Sequence, residues 1–251
     1  SNPHDAPNEK IAVFDLDNTL LIGDIGNALY VKLKNKEKQQ AITISDEKLP
    51  FSWSGYLDFL EKNGKEIAYE RMVTAMAGVP LNTITETTAE IMNLPTNSPP
   101  LTIENHSVPI PRVNPTMLTL TTYLNSLNYK LYIISASIQP AVQYIAENFF
   151  NIPPSHAFGM VPSYTTHNNE KILGNKITGP ITVTEGKVKI YKTTISQSPP
   201  LISAGDSPTD IPMLNLTTPK GLIIYLKKKE AFGDQGLFLE EPPLDPARTF
   251  V

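Results

Sequence analysis

Short apolar runs that end in an acid or a hydroxyl alternate with helix-patterned stretches along this chain. That alternation commits it to a parallel sheet with helices on both faces. Residues 10–15 (KIAVFD) read as a buried first strand that opens into a loop. A helix over 117–127, marked by Met117, Leu120, Tyr123, Leu124 and Leu127, leads into a second run at 130–135 (KLYIIS). The unit repeats with a helix over 139–150 and a strand at 158–161. A helix over 187–195 then precedes a strand at 200–204, a helical turn at 210–214 and a last strand at 221–226. The expected fold class is α/β, and ligands in such sheets sit at the carboxyl ends of the strands.

Two stretches interrupt the alternation. The longer, residues 23–111, is helical early and rich in Pro, Thr and Asn later, and it reads as an inserted, mainly α-helical cap. Within it Trp53, Tyr56, Leu57 and Leu60 share one helical face, and Tyr69, Met72, Val73 and Met76 share another. This divides the chain into a core of residues 1–22 and 112–251 and a cap of residues 23–111. The shorter break, 171–183, suggests a hairpin turning at Gly174-Asn175.

Composition narrows the partners. Of 251 residues 40% are hydrophobic and 18% charged, enough apolar material for a folded core. Lys and Arg number 21 against 25 Asp and Glu, a net charge of −4, without the basic stripe that phosphate-backbone binding requires, so nucleic acid is not an expected partner. The apolar runs fall far short of the roughly 20 residues that span a bilayer. With no cysteine there is neither a disulfide framework nor a thiolate nucleophile. The opening Ser1-Asn2-Pro3 points to an expression remnant or a removed leader. Together with the missing cysteines and the Pro/Thr/Asn-rich makeup, it tilts the expectation toward an exported, periplasmic protein. Oligomeric state is not legible.

The most specific chemistry lies in Asp15-Leu16-Asp17-Asn18-Thr19, directly after the first strand. An Asx turn alone explains two acids one residue apart. A calcium loop does not, since Leu20 and Gly26 stand where that loop requires Gly and Glu. A second acidic cluster, Asp206 to Asp210, follows another strand about 190 residues later. If the two strand ends meet, Asp15, Asp17 and Asp206 converge, and crowded carboxylates stay ionised only around a cation. Oxygen-only ligands point to Mg²⁺. Asp210 either supports those ligands from behind or closes a capping box with Ser207. Ser135, ending the second strand, and Lys187, opening a helix, complete a phosphate site, with Ser137 and Lys189 as the alternatives two residues on.

In this order, Asp-x-Asp-x-Thr, a strand-end Ser, a helix-opening Lys and Gly-Asp-Ser-x-x-Asp resemble the four motifs of the haloacid dehalogenase superfamily. The resemblance covers residues 10–22 and roughly 112–226, and the insertion after the first motif looks like that family's C1 helical cap. The subgroup it is most similar to is phosphoserine-phosphatase-like (subfamily IB). The stretches around Trp53 and Tyr56, residues 69–78 and residues 133–137 are similar to phosphorylcholine phosphatases. The resemblance implies a Rossmann-like core and a Mg²⁺-dependent hydrolase acting on a small phosphomonoester. It makes Asp15 the nucleophile and Asp17 the acid and base. It assigns the metal to Asp15, the main-chain carbonyl of Asp17, and Asp206. It assigns the phosphate to Asn18, Ser135 and Lys187, with Thr19 holding the loop.

Asp17 argues for a leaving alkoxide, which needs a proton, over halide chemistry. A phosphotransferase or phosphomutase of the same fold stays open. A receiver-like phosphoacceptor module is the other alternative, although such modules are much shorter, carry the acceptor on a middle strand and lack a large insertion. Asp24 either faces a cationic substrate group or starts a helix. Trp53, Tyr56, Phe51 and Tyr30 either box a quaternary ammonium or pack an amphipathic cap helix. His106, His156 and His167 lack ligand spacing.

Overall fold

A computed structural model describes residues 9–39, 52–228 and 237–238. The chain begins with β1 (Ile11–Phe14), a wide turn (Leu16–Leu20) and β2 (Leu21–Ile22). Then come α1 (Ile25–Lys38), α2 (Trp53–Thr74), α3 (Leu81–Met92), β3 (Leu101–Ile103), β4 (His106–Val108) and β5 (Arg112–Val113). The second half holds α4 (Pro115–Ser126), β6 (Lys130–Ile138), α5 (Gln139–Phe150), β7 (Ala157–Met160), β8 (Pro162–His167) and β9 (Glu170–Ile177). Then come α6 (Glu185–Ile190), β10 (Ile202–Gly205), α7 (Ile211–Leu214) and β11 (Leu222–Tyr225), followed by the short antiparallel pair β12 (Lys227–Lys228) and β13 (Leu237–Phe238).

Five strands form the parallel sheet that the alternating pattern predicts, in the order β11-β10-β1-β6-β7. Each strand buries both faces. Ala12 and Phe14 point into one apolar cluster with Ile133, Val142 and Ile145, while Ile11 and Val13 point into the other with Tyr191, Met213 and Ile223. The order puts the site in place. From β1 the chain builds outward through β6 and β7, then crosses back to β10 on the other side, so the strand order reverses between β1 and β10. Their carboxyl ends diverge into a crevice there. Phe14 pairs with Ala204, so Asp15 and Asp206 leave that edge side by side.

The helix ends follow sequence signals. Asn114 caps α4 by accepting from Thr116 and Met117 N–H, with Pro115 at the first helical position. Asn151 ends α5 in the left-handed conformation. The insertion leaves and returns through a two-stranded neck, in which Leu21 pairs with Val113 and Ile22 with Arg112. Its described part is mainly helical: α1 buries Ile25, Leu29, Tyr30 and Leu33, and α3 packs on α1 and α5. The two helical faces expected around Trp53 and Met72 belong to one element that breaks at Gly64, where φ 78 and ψ 170 admit only glycine readily. No helix among the described residues is long and apolar enough to cross a membrane.

The expected hairpin is displaced. β8 and β9 pair as a hairpin turning at Asn168 and Asn169, both at positive φ, while Gly174 lies inside β9. Asparagine tolerates the two left-handed positions of such a turn. Gly174 serves close approach instead, since a Cβ there would lie 2.2 Å from Ser163 Oγ. The hairpin grips the α2–α3 connection through Gly78 N–H to Leu173 O (2.8 Å) and Leu173 N–H to Val79 O (2.9 Å).

Candidate active site

Asp15 leaves β1 with its N–H still bonded to Ala204 O of β10 at 2.9 Å, which fixes its backbone to the neighbouring strand. Lys187, 1% exposed in the first turn of α6, donates to Asp15 Oδ1 at 2.5 Å and to Asp210 Oδ1 at 2.6 Å. Lys189 is exposed, so the lysine of the site is the one expected first. Asp210 takes the capping role foreseen as one of its two alternatives. Its Oδ2 accepts from Asp206 N–H (3.1 Å), Ser207 N–H (3.0 Å) and the Ser207 hydroxyl (3.1 Å), closing the capping box while shaping the loop that presents Asp206. Gly205 leaves room for this, because a Cβ there would sit 2.6 Å from Asp210 Cβ. Thr19, fully buried, points its hydroxyl at Asp206 Oδ1 from 3.5 Å, and its carbonyl accepts from the Asn114 side chain.

Asp17 turns its carboxylate away from this cluster. Its Oδ1 accepts from Ile25 N–H at the start of α1 (2.7 Å), and its Oδ2 accepts from the hydroxyls of Ser137 (2.7 Å) and Ser135 (3.2 Å). β6 runs on past Ser135, and its register with β7 shifts between Ile134 and Ile138; two residues apart on the same strand, Ser135 and Ser137 reach the same partner. Asp24 does start α1, accepting from Asn27 N–H at 2.7 Å, and it also faces the cavity.

Burial dominates the electrostatics. It pushes Asp15 up to about 8 and, with repulsion from Asp15 and Asp210, Asp206 up to about 8. Asp17 rises to about 7, from burial and then from the nearby Asp24 charge. Burial alone would lower the Lys187 ammonium, but Asp15 and Asp210 more than reverse this and hold it well above the usual lysine range. Oxygens of Asp15, Asp206 and Asp210 lie within 4.8 Å of one another. With all three ionised, the cluster exceeds its one ammonium by two negative charges, which one divalent cation balances. The donor set fits Mg²⁺: hard oxygens, from strand-end loops, in a place where burial penalises their charge.

Above the acids lies a cavity that opens to solvent. Its floor comprises Asp15, Asp17, Asn18, Lys187 and Asp206; its roof is Tyr56, Tyr69, Met72, Val73 and Met76 from α2 and the turn after it. Asp24, Lys65 and Ser137 stand at its sides. Ser135 and Trp53 are buried behind this lining, and Tyr30 sits in the apolar core. Trp53 packs on Tyr56, with ring centroids 5.6 Å apart. Phe51 lies outside the described residues. Lys65, Tyr69, Met72, Val73 and Met76 are among the lining residues that the sequence reading did not place in the site. Tyr69 was visible only as part of a helical face, and Lys65 follows the Gly64 break.

A family model described as haloacid dehalogenase-like hydrolase matches residues 12–215. No curated protein matches the sequence. Among solved structures, a conserved functionally unknown protein from Anaerococcus prevotii DSM 20548 is similar at 16% identity over 92% of this chain and 82% of that one (TM-score 0.64). A protein of unknown function from Bordetella pertussis Tohama I is similar at 16% identity over 86% and 98% (TM-score 0.61). A substrate-bound phosphoserine phosphatase complex is similar at 14% identity over 87% and 86% (TM-score 0.51). At such identities the likeness is one of fold.

Proposed function

Because the chain belongs to the haloacid dehalogenase-like hydrolase family, we propose that it is a Mg²⁺-dependent phosphomonoesterase of the phosphoserine-phosphatase-like kind. The observation that carries this reading is the meeting of Asp15 and Asp206 across the β1–β10 crevice with Lys187 buried against Asp15. Residues 23–111 act as the cap over a core of residues 1–22 and 112–251.

Asp15 and Asp206, with the Asp17 main-chain carbonyl, would hold the metal. When bound, Mg²⁺ supplies positive charge that lets an anionic ester approach an anionic carboxylate. The chain's own residues do the rest. A carboxylate oxygen of Asp15 attacks phosphorus, the bond to the alcohol oxygen breaks, and that oxygen takes the proton of Asp17. Asp17, now a carboxylate, removes a proton from water. The water oxygen attacks phosphorus, the bond to Asp15 breaks, phosphate leaves and both acids are restored. A value of about 7 for Asp17 suits a group that must both give and take a proton near neutrality. Lys187 offsets charge on Asp15, and the Asn18 side chain lines the floor where the phosphate would sit, its own N–H being held by Gly23 O at 3.0 Å.

The side and roof favour an amine-bearing ester such as phosphoserine or phosphocholine. Asp24 offers a carboxylate near Asp17, and Tyr56 and Tyr69 offer aromatic rings in the same cavity, a setting that suits a cationic group. Trp53 acts by backing Tyr56. The test is a phosphomonoester panel of phosphoserine, phosphocholine, phosphoethanolamine, sugar phosphates and nucleotides, with Mg²⁺. Phosphate release by the wild type, abolished in Asp15→Asn, is expected. Absence of release from every ester refutes the reading.

A further inference from the structure

We propose that Ser137 is a positioning residue that aims the Asp17 carboxyl at the leaving oxygen, an inference that rests on the phosphatase reading above. Of the two serines behind Asp17, Ser135 is the one that the motif resemblance singles out, yet it is fully buried and does not line the cavity. Its Oγ also accepts from Ser137 N–H at 3.0 Å, and it lies 3.2 Å from Asp17 Oδ2. Ser137 is 6% exposed, lines the cavity and makes the shorter contact, 2.7 Å to the same oxygen.

The chemistry of a hydroxyl fits a partner that changes protonation. It donates to Oδ2 of the carboxylate and can still donate to a remaining lone pair of the carboxylic acid, whose own proton is then free to face the leaving oxygen. Ser137 can therefore keep one bond to Asp17 in both states the reaction requires. The Ile25 N–H on Oδ1 only donates, so it serves the carboxylate and holds Oδ1 in place. Together the two fix the plane of the carboxyl group from both ends. The space for the hydroxyl comes from Gly26, where a Cβ would stand 3.1 Å from Ser137 Oγ. The backbone supports the same arrangement, since Ser137 stands two residues beyond Ser135 on β6 and both side chains reach Asp17 Oδ2.

A residue that acts through the general acid matters in proportion to the leaving group's need for a proton. An alkoxide needs one; p-nitrophenolate leaves without it. The experiment compares kcat/KM of wild type and Ser137→Ala with Mg²⁺ on an alkyl phosphomonoester and on p-nitrophenyl phosphate. This parameter reports the first transfer and excludes the later hydrolysis of the aspartyl phosphate. The expected loss is about 10- to 100-fold on the alkyl ester and no more than about threefold on the aryl ester, at an unchanged melting temperature. Equal losses on both esters, or no loss on either, overturn the inference and leave the phosphatase reading intact. A wild type that hydrolyses neither ester overturns both.

Discussion

Raising the pH destabilises the protein in the absence of divalent metal, and Mg²⁺ removes the effect. The cause lies in three carboxyls at the cavity floor, buried Asp15 at about 8 and the partly buried Asp17 at about 7 and Asp206 at about 8. All lie above the ordinary aspartate value, so the folded state holds protons that the unfolded chain has released. Their contribution is fully present below about pH 4 and is lost as the pH rises through 7 to 8. Each pKa unit is worth about 1.4 kcal/mol, so a single carboxyl held near 8 gives up roughly 4 kcal/mol between pH 5 and pH 8. Asp15 and Asp206 repel one another, so one proton relieves both, and about 4 kcal/mol is the figure for the pair. In a chain of this size that is a fall in melting temperature of roughly 10 °C. Because Mg²⁺ binds the deprotonated acids, its stabilisation grows as the pH rises. Thermal melts in EDTA and in Mg²⁺ from pH 5 to pH 8 read this directly, with Asp206→Asn as the variant in which the slope flattens. A Mg²⁺ shift equal at both ends, or larger at pH 5, refutes the reasoning.

Lys187→Met leaves Asp15 and Asp210 buried without their cation and should cost roughly 3–5 kcal/mol in denaturant unfolding; a change within about 1 kcal/mol contradicts the ion-pair account. Asp24→Ala removes the α1 cap, worth about 1 kcal/mol, and should also erode the preference for amine-bearing esters in the phosphomonoester panel; an unaltered profile removes the cap-side acid from substrate recognition. Gly64→Ala meets no atom within 4 Å, so its cost is backbone strain alone, about 1–3 kcal/mol in the same unfolding assay; a neutral effect shows that the break in α2 does not need glycine.

What the sequence revealed depended on how local the signal was. The strand ends were legible because Ile11 to Phe14 and Ile202 to Gly205 are unbroken apolar runs, and buried parallel strands read that way. Asp15, Asp206 and Lys187 were found as the residues that end or open these elements. The hairpin turn was misplaced because Gly174-Asn175 carries the stronger dipeptide signal, while the chain turns at Asn168 and Asn169 and uses the glycine for contact with Ser163. The bonding of Asp17 was not legible. It depends on how the end of β6 and the start of α1 pack against the loop after β1, which is a matter of tertiary placement. The roof escaped for a related reason: Met72, Val73 and Met76 are buried as core residues are, and only tertiary packing turns that face toward the acids.

The central claim is that Asp15 itself bonds to phosphorus. The most direct test is a single turnover with Mg²⁺ and a labelled phosphomonoester, quenched in acid within the lifetime of the intermediate and mapped by peptide mass. The account predicts one phosphoryl group on Asp15, present before free phosphate appears and absent in Asp15→Asn. Phosphate released with no labelled protein at any quench time, or a label on another residue, contradicts it.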